Sequence, residues 1–162
     1  MLQVYKRMQK MREKYVDTLA KLYEYATTVY SKKQYTQWYD TKKGGYTYAS
    51  LKERCDSLSK VLTQYGIGAG DKVAILSQSM PNWSVAFFSL APYGRIVIPI
   101  LPDSSTNEVT NIINHSETKA IFVSQKLAGK ISQEVKEKMV LIIDVDTLEI
   151  IKSDDDHCTC DG

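Results

Sequence analysis

No stretch of these 162 residues approaches the roughly 20 consecutive apolar residues that a membrane-crossing helix needs. The opening MLQVYKRMQKMREK is charged throughout, where a signal peptide would carry an apolar core. Cysteine is scarce and odd in number. Cys55, Cys158 and Cys160 cannot build the paired framework of a small secreted domain, so a reducing cytoplasm is the expected compartment. Histidine occurs only at His115 and His157. Gly-x-Ser-x-Gly, His-Glu-x-x-His and GxxxxGK[ST] are all missing, which argues against a self-contained hydrolase or a phosphate-gripping loop. Neither sign of charge dominates: 21 Lys and Arg against 19 Asp and Glu give +2, no basis for a nucleic-acid partner.

What is present is alternating periodicity. Val4, Met8, Met11, Tyr15, Leu19, Leu22, Ala26 and Val29 recur every three or four positions, so residues 1–31 read as helix, with a break where Asp17 or Thr18 can cap. Tyr35–Tyr39 and Tyr46–Tyr48, joined through Lys42-Lys43-Gly44-Gly45, read as a hairpin. A helix over 48–65 buries Leu51, Cys55, Leu58 and Leu62. Thr47 can cap it, or Ser50 with Glu53 in a capping box, and Gly66 stops it. The segment Gly70–Pro99 then reads as strand (Val73–Leu76), loop, helix (Asn82–Tyr93) and strand (Ile96–Ile98). Ser105-x-x-Glu108 caps a helix over 107–115. Ala120–Val123 is a strand, Gln125–Val135 a helix and Val140–Ile143 a last core strand. This α/β alternation predicts a parallel sheet flanked by helices on both faces, preceded by the N-terminal helix and the hairpin. At this length one domain buries roughly 70% of its unfolded surface. The expected division is an amphipathic helical segment 1–31, an α/β subdomain 32–152 and a polar linker 153–162.

Four features invite a functional reading. Gly66-x-Gly68-x-Gly70 looks like a nucleotide fingerprint, but it runs from helix into strand, the reverse of what phosphate at a helix N-terminus requires, so a helix stop is the better account. The loop Ser77-Gln78-Ser79-Met80-Pro81 does lead from a strand into a helix, where open α/β sheets bind ligands. It has hydroxyls and no glycine, and a plain helix entry is favoured. His157-Cys158-x-Cys160 resembles metal ligands but supplies no second pair, so a polar linker is favoured. Lys6, Arg7, Lys10, Arg12 and Lys14 suit an anionic membrane surface or a partner helix. A solvated helix face is favoured, because no Trp or Phe reinforces the apolar side.

In order along the chain stand Tyr46-Thr47-Tyr48-Ala49-Ser50-Leu51, Gly66-x-Gly68-x-Gly70-Asp71-Lys72-Val73-Ala74-Ile75, Pro81-Asn82-Trp83 with Ala86-Phe87-Phe88, and Gly94 with Val97-Ile98-Pro99-Ile100. This series resembles the N-terminal subdomain of the AMP-forming acyl-adenylating superfamily, over roughly Thr18 to Ile151. The segment from Pro99 through Asp103 to Asn114-His115-Ser116 and Ala120–Val123 is most similar to long-chain fatty-acid–CoA ligases. Ala91-Pro92-Tyr93-Gly94-Arg95 departs from the family, which usually has small residues leading to the glycine; Pro92 should shorten the helix's last turn. The resemblance implies a partial N-terminal subdomain of a ligase that joins a fatty acid to CoA through an acyl-adenylate. ATP, magnesium and CoA then belong to the parent enzyme and none to this chain. The Ser/Thr/Gly-rich loop with its lysine, which stabilises the phosphoryl charge in that family, is missing from the sequence, as are the later family motifs. No catalytic, cofactor-binding or metal residue is carried over, and the chain alone is expected to be inactive, with the remainder of the parent as its partner. The rival expectation is a non-catalytic interaction module on the same fold, self-associating through the helical stripe or a bare sheet edge, or part of another acyl-adenylating enzyme. A cytoplasmic location, peripheral to a membrane if the basic helix touches one, completes the expectation.

Overall fold

The computed structural model describes residues 3, 6, 17–39 and 44–153. Val4, Met8, Met11 and Tyr15 of the predicted stripe, the basic run from Arg7 to Lys14, the turn residues Lys42 and Lys43, and the His157-Cys158-x-Cys160 tail lie outside them. The chain divides into two compact units, Met1–Glu53 and Arg54–Gly162.

In the first unit helix α1 spans Leu19–Val29. Thr18 sits before it in extended backbone, and its hydroxyl accepts from the Lys21 N–H, so the helix starts where the sequence offered a cap. Strands β1 (Gln34–Gln37) and β2 (Gly45–Thr47) pair antiparallel, with one register shift between Gln34 and Thr36. Helix α2 (Tyr48–Gln64) follows β2 directly. Thr47 Oγ1 accepts from the Ser50 N–H while Ser50 Oγ accepts from the Thr47 N–H. This reciprocal pair selects Thr47 as the cap over the Ser50–Glu53 alternative, because the helix is already under way at Tyr48. Tyrosine rings knit the unit together: Tyr30 and Tyr35 both lie against Tyr48, with centroids 6.1 and 5.1 Å away, and Tyr25 meets Tyr30 edge-on.

The second unit is built on β3 (Lys72–Leu76), β4 (Ile96–Ile100), β5 (Ala120–Val123), β6 (Leu141–Asp144) and β7 (Ile150–Ser153), in spatial order β4-β3-β5-β6-β7. The first four are parallel and β7 is antiparallel to β6. Residues in register, such as Ala74, Ile121 and Ile142, point to one face. There they join Val109 and Ile113 of α4 (Thr106–Ser116) and Val135 of α5 (Gln133–Lys138) in one buried cluster. The alternate positions Val73, Ile75, Phe122 and Ile143 are equally buried, on the other face. They are continuous apolar strands because a parallel sheet is covered on both sides. Buried Cys55 of α2 meets Val85 of α3 (Pro81–Phe88), its Sγ 3.5 Å from the carbonyl oxygen. Edge strand β4 accommodates Pro99, which has no N–H for a ladder.

Three departures from the sequence reading have local causes. The helix expected over 82–93 stops at Phe88, and Ala91–Tyr93 form a separate 3₁₀ turn closed by Gly94 at φ 81°. Pro92 has no N–H to return to the Phe88 carbonyl, so the α-ladder cannot continue. The helix expected over 125–135 is two pieces, a 3₁₀ segment Gln125–Lys130 and α5, because Ile131 and Ser132 are extended and the Ser132 hydroxyl caps the second piece. Strand β7 was not foreseen. Its four residues adjoin an acidic run, and the turn before it places Leu148 at φ 63°, a conformation that leaves no glycine signature.

Candidate functional site

Strand order places the connection after β3 and the connection after β5 on either side of a topological switch: the chain leaves β3 towards β4 and returns to pair β5 on β3's other edge. In such sheets ligands meet the carboxyl ends of the strands at that point. The loop Ser77-Gln78-Ser79-Met80-Pro81 emerges there. Ser77 is buried and turns its hydroxyl onto the Gln78 carbonyl, 2.9 Å away; Ser79 is exposed; Met80 is extended; Pro81 is the first residue of α3. Leu76 accepts from the Ser124 N–H at 3.1 Å, so the ends of β3 and β5 stay in step.

The rest of this rim is a knot of polar groups. Asn82, 5% exposed, donates through Nδ2 to the carbonyls of Val145 at 2.7 Å and Asp146 at 3.0 Å, fastening the start of α3 to the turn after β6. Asp144, buried at the end of β6, accepts from the Gln125 side chain at 2.6 Å and from the Asp146 N–H at 2.7 Å. Asp146 in turn accepts from the Gln125 N–H at 2.7 Å. Ser124 is 1% exposed and its hydroxyl has no hydrogen-bond partner. A buried polar atom left so costs about 1–3 kcal/mol.

The rim is therefore equipped to hold shape and to hydrogen-bond. It lacks a nucleophile–base pair, a glycine that would let backbone approach a phosphate, and a cation between β3 and α3. No group of three His, Cys, Asp or Glu among the described residues is placed to hold a metal. The two carboxylates of the rim, Asp144 and Asp146, are engaged by Gln125 and by the turn's own backbone, and the β3–α3 loop presents neither glycine nor cation to ATP phosphates, so this rim is not built to hold a magnesium–ATP complex. The glycine series behaves as punctuation: Gly66 and Gly70 have φ of 70° and 84°, the Ile67 N–H returns to the Leu62 carbonyl to close the helix, and the Gly70 N–H donates to the Gly94 carbonyl at 2.8 Å. His115 is exposed in the last turn of α4. Separately, a mostly apolar cavity of about 440 Å³ is lined by Val123, Ala128, Ile131, Ile142 and Ile151, with Lys152 at its wall. Its Lys152 ammonium is turned onto the carbonyls of Lys136 and Met139 at the end of α5, at 2.7 and 2.8 Å.

Sequence reasoning placed the loop and missed the knot. Ser124 and Asp144 follow apolar strand blocks directly and Asp146 comes two residues later, and that position is the one signal that marks them. Arg95 was also missed as a structural group. It is 5% exposed and donates to the Ile67 carbonyl at 2.9 Å, Ser59 Oγ at 2.8 Å, the Ser59 carbonyl at 3.0 Å and Thr63 Oγ1 at 2.9 Å. Burial pulls its pKa down, against the raising influence of the Asp71 and Tyr93 charges.

The comparisons with known proteins agree with this framework. The family described as AMP-binding enzyme matches residues 24–159. The 4-coumarate–CoA ligase 2 of Oryza sativa subsp. japonica is 29% identical over 119 residues, covering 72% of this chain and 21% of that protein. The long chain acyl-CoA synthetase 2 of Arabidopsis thaliana is 28% identical over 95 residues, 57% of this chain and 14% of that protein. Among solved structures, the coronafacic acid ligase of Pectobacterium brasiliense superposes with a TM-score of 0.72 at 18% identity, over 80% of this chain and 26% of that one, a likeness of fold. The chain thus spans about a fifth or less of the length of these curated relatives. A covered parallel sheet, with its order and switch point, and a match over most of the sequence together make this chain a member of the AMP-binding enzyme family.

Proposed function

We propose that this chain is the N-terminal scaffold of an acid–CoA ligase acting on long-chain fatty acids, and that it does not adenylate a carboxylate by itself. The observation that supports this most is the family match over residues 24–159, joined to a β3–α3 loop that carries neither cation nor glycine. The long-chain preference draws on the resemblance of the segment 99–123 and on relatives named as long-chain and fatty acyl-CoA synthetases. On this reading the remainder of the parent supplies the ATP, magnesium and CoA sites, and the unit 54–153 supplies a rigid sheet for them to build on.

The test has two arms. ATP–pyrophosphate exchange with palmitate, run on the 162-residue chain, is expected to stay at the blank. Exchange above blank would refute the need for a phosphate loop elsewhere. Sequencing the coding DNA downstream of Gly162 is expected to find an in-frame Ser/Thr/Gly-rich loop with a lysine. An immediate stop codon would favour a stand-alone module.

A further inference from the structure

Residues 124–140 join the parallel strands β5 and β6, a connection that in such a sheet usually carries one helix laid over both strands. Here it breaks at Ile131 and Ser132 into a 3₁₀ segment and the six-residue α5. The cavity of about 440 Å³ lies against that break. Ala128 and Ile131 wall it from the connection, Val123 and Ile142 from the sheet, and Ile151 from β7. Val123, Ile131 and Ile142 are 1%, 4% and 4% exposed, so its inner end belongs to the core, whereas Ile151, at 56%, stands in solvent.

The charges around it are unequally matched. On α5, Lys138 pairs with Glu134 at 2.6 Å, and Glu137 accepts from Gln133 Nε2 at 3.0 Å. Lys152 is committed to carbonyls at the end of α5. The Lys136 ammonium, on a half-buried residue of the cavity wall, has no hydrogen-bond or ion-pair partner among the described residues.

We propose that this cavity binds a compact apolar monoanion, with its body between the sheet and the broken connection and its negative group at Lys136. Pockets that take small molecules combine such apolar walls with few polar groups. Size selects the body. A cavity of about 150 Å³ admits benzene, so 440 Å³ has room for a body two to three times larger. Its walls come from the neighbouring strands β5, β6 and β7, two spacings of about 4.8 Å and hence about 10 Å across. Along its own axis α5, with six residues at about 1.5 Å each, sets a similar limit. An extended chain covers about 3.5 Å per three bonds, so a straight chain of more than about eight carbons outruns both dimensions. Two fused rings fit; a long acyl chain does not. A protein segment would need a trough open along its length, and buried Val123 and Ile142 close the inner end. The site lies within the second unit and does not depend on the ligase reading.

The test is titration of the ¹⁵N-labelled 162-residue chain with naphthalene-2-sulfonate, followed by amide shifts. Saturating shifts are expected at Ala128, Ile131, Lys136, Ile142 and Ile151, with a dissociation constant of about 1 mM or tighter. Naphthalen-2-ylmethylammonium, the same body with a positive group, should bind at least fivefold more weakly. Lys136→Gln should weaken the sulfonate at least fivefold as well. Ala128→Phe, which fills the cavity, should do the same, and dodecanoate should displace the sulfonate no better than octanoate does. Urea midpoints check that the variants stay folded; should Ala128→Phe unfold, the comparison of the two naphthalene ions on the unaltered chain still decides. Absent shifts or shifts confined to other residues, a cation or a folded variant within fivefold of the reference, or tighter displacement by dodecanoate would each overturn the proposal.

Discussion

Replacing Arg95 asks whether a buried cation without a carboxylate partner stabilises this fold. Its guanidinium makes four bonds of 2.8–3.0 Å to neutral oxygens, tying the end of α2 and the Ile67 turn to the start of β4. Bonds from a charged donor return about 1.5–3 kcal/mol each, while burying the ion costs several kcal/mol. Arg95→Met keeps the aliphatic stem and removes the charge, so both large quantities disappear together. The residue left worst off is Ile67, whose carbonyl loses the Arg95 Nε bond. The Ser59 carbonyl keeps Thr63 Oγ1 as a donor at 3.0 Å, and the Ser59 hydroxyl, which accepted from Arg95, can turn to donate to its own helix. The Ile67 carbonyl is then the one buried acceptor left orphaned, worth about 1–3 kcal/mol, so a loss near 2 kcal/mol is expected. Arg95→Ala adds a cavity and should lose more; Arg95→Lys keeps the buried charge without the planar fork that satisfies it, and should also lose more than the methionine variant. The assay is urea unfolding followed by Trp83 fluorescence in a Trp38→Phe background, so that only the α/β unit reports. With a slope of about 2 kcal/mol/M, the methionine midpoint should fall by about 1 M. A methionine variant as stable as its parent would refute the reasoning, because desolvation would then equal everything the fork returns.

The remaining expectations concern other joints of the same units. Burial raises the Asp71 pKa, but the Lys119 hydrogen bond, the Gly68 N–H and the charges of Lys119 and Arg95 outweigh it and hold the carboxyl below its ordinary 3.8. Its stabilising contribution is therefore complete above that value and lost as pH falls through the lowered pKa; Asp71→Asn should flatten urea midpoints measured between about pH 5 and 2. Asn82→Ala should cost about 1–3 kcal/mol and unlock the turn after β6, seen as faster amide exchange at Asp146 and Thr147. A Cβ on residue 45 would lie 2.2 Å from the Thr36 carbonyl oxygen, so Gly45→Ala should break the hairpin register. Loss of the Gln37–Gly45 pairing in NMR would show it, and an intact hairpin would contradict the geometry.

Apolar strand blocks and helix caps were legible because each is a local decision. Val73–Leu76 and Ala120–Val123 are fully apolar runs, and Thr18 and Ser105 each sit one residue ahead of a helix whose backbone they satisfy. The antiparallel turn to β7 and the Arg95 fork were not legible. Leu148 adopts a left-handed conformation with no sequence mark, and the oxygens around Arg95 come from residues 59, 63 and 67, a set that only the folded chain assembles. The Ser77–Pro81 loop was placed correctly on the sheet, yet its neighbours across the rim lie more than 40 residues away, beyond the reach of spacing arguments.

Pro99 gives the outer strand of the sheet a second significance. A strand rich in Ile and Val, left at the margin of a sheet, is a template on which unfolded neighbours can polymerise. A residue with no N–H cannot serve an incoming strand, and at the far margin β7 runs against the direction of the others. Extension beyond β4 is discouraged by chemistry, while a strand that joined β7 would meet an edge of opposite polarity, so the two margins of these five strands are not equivalent templates.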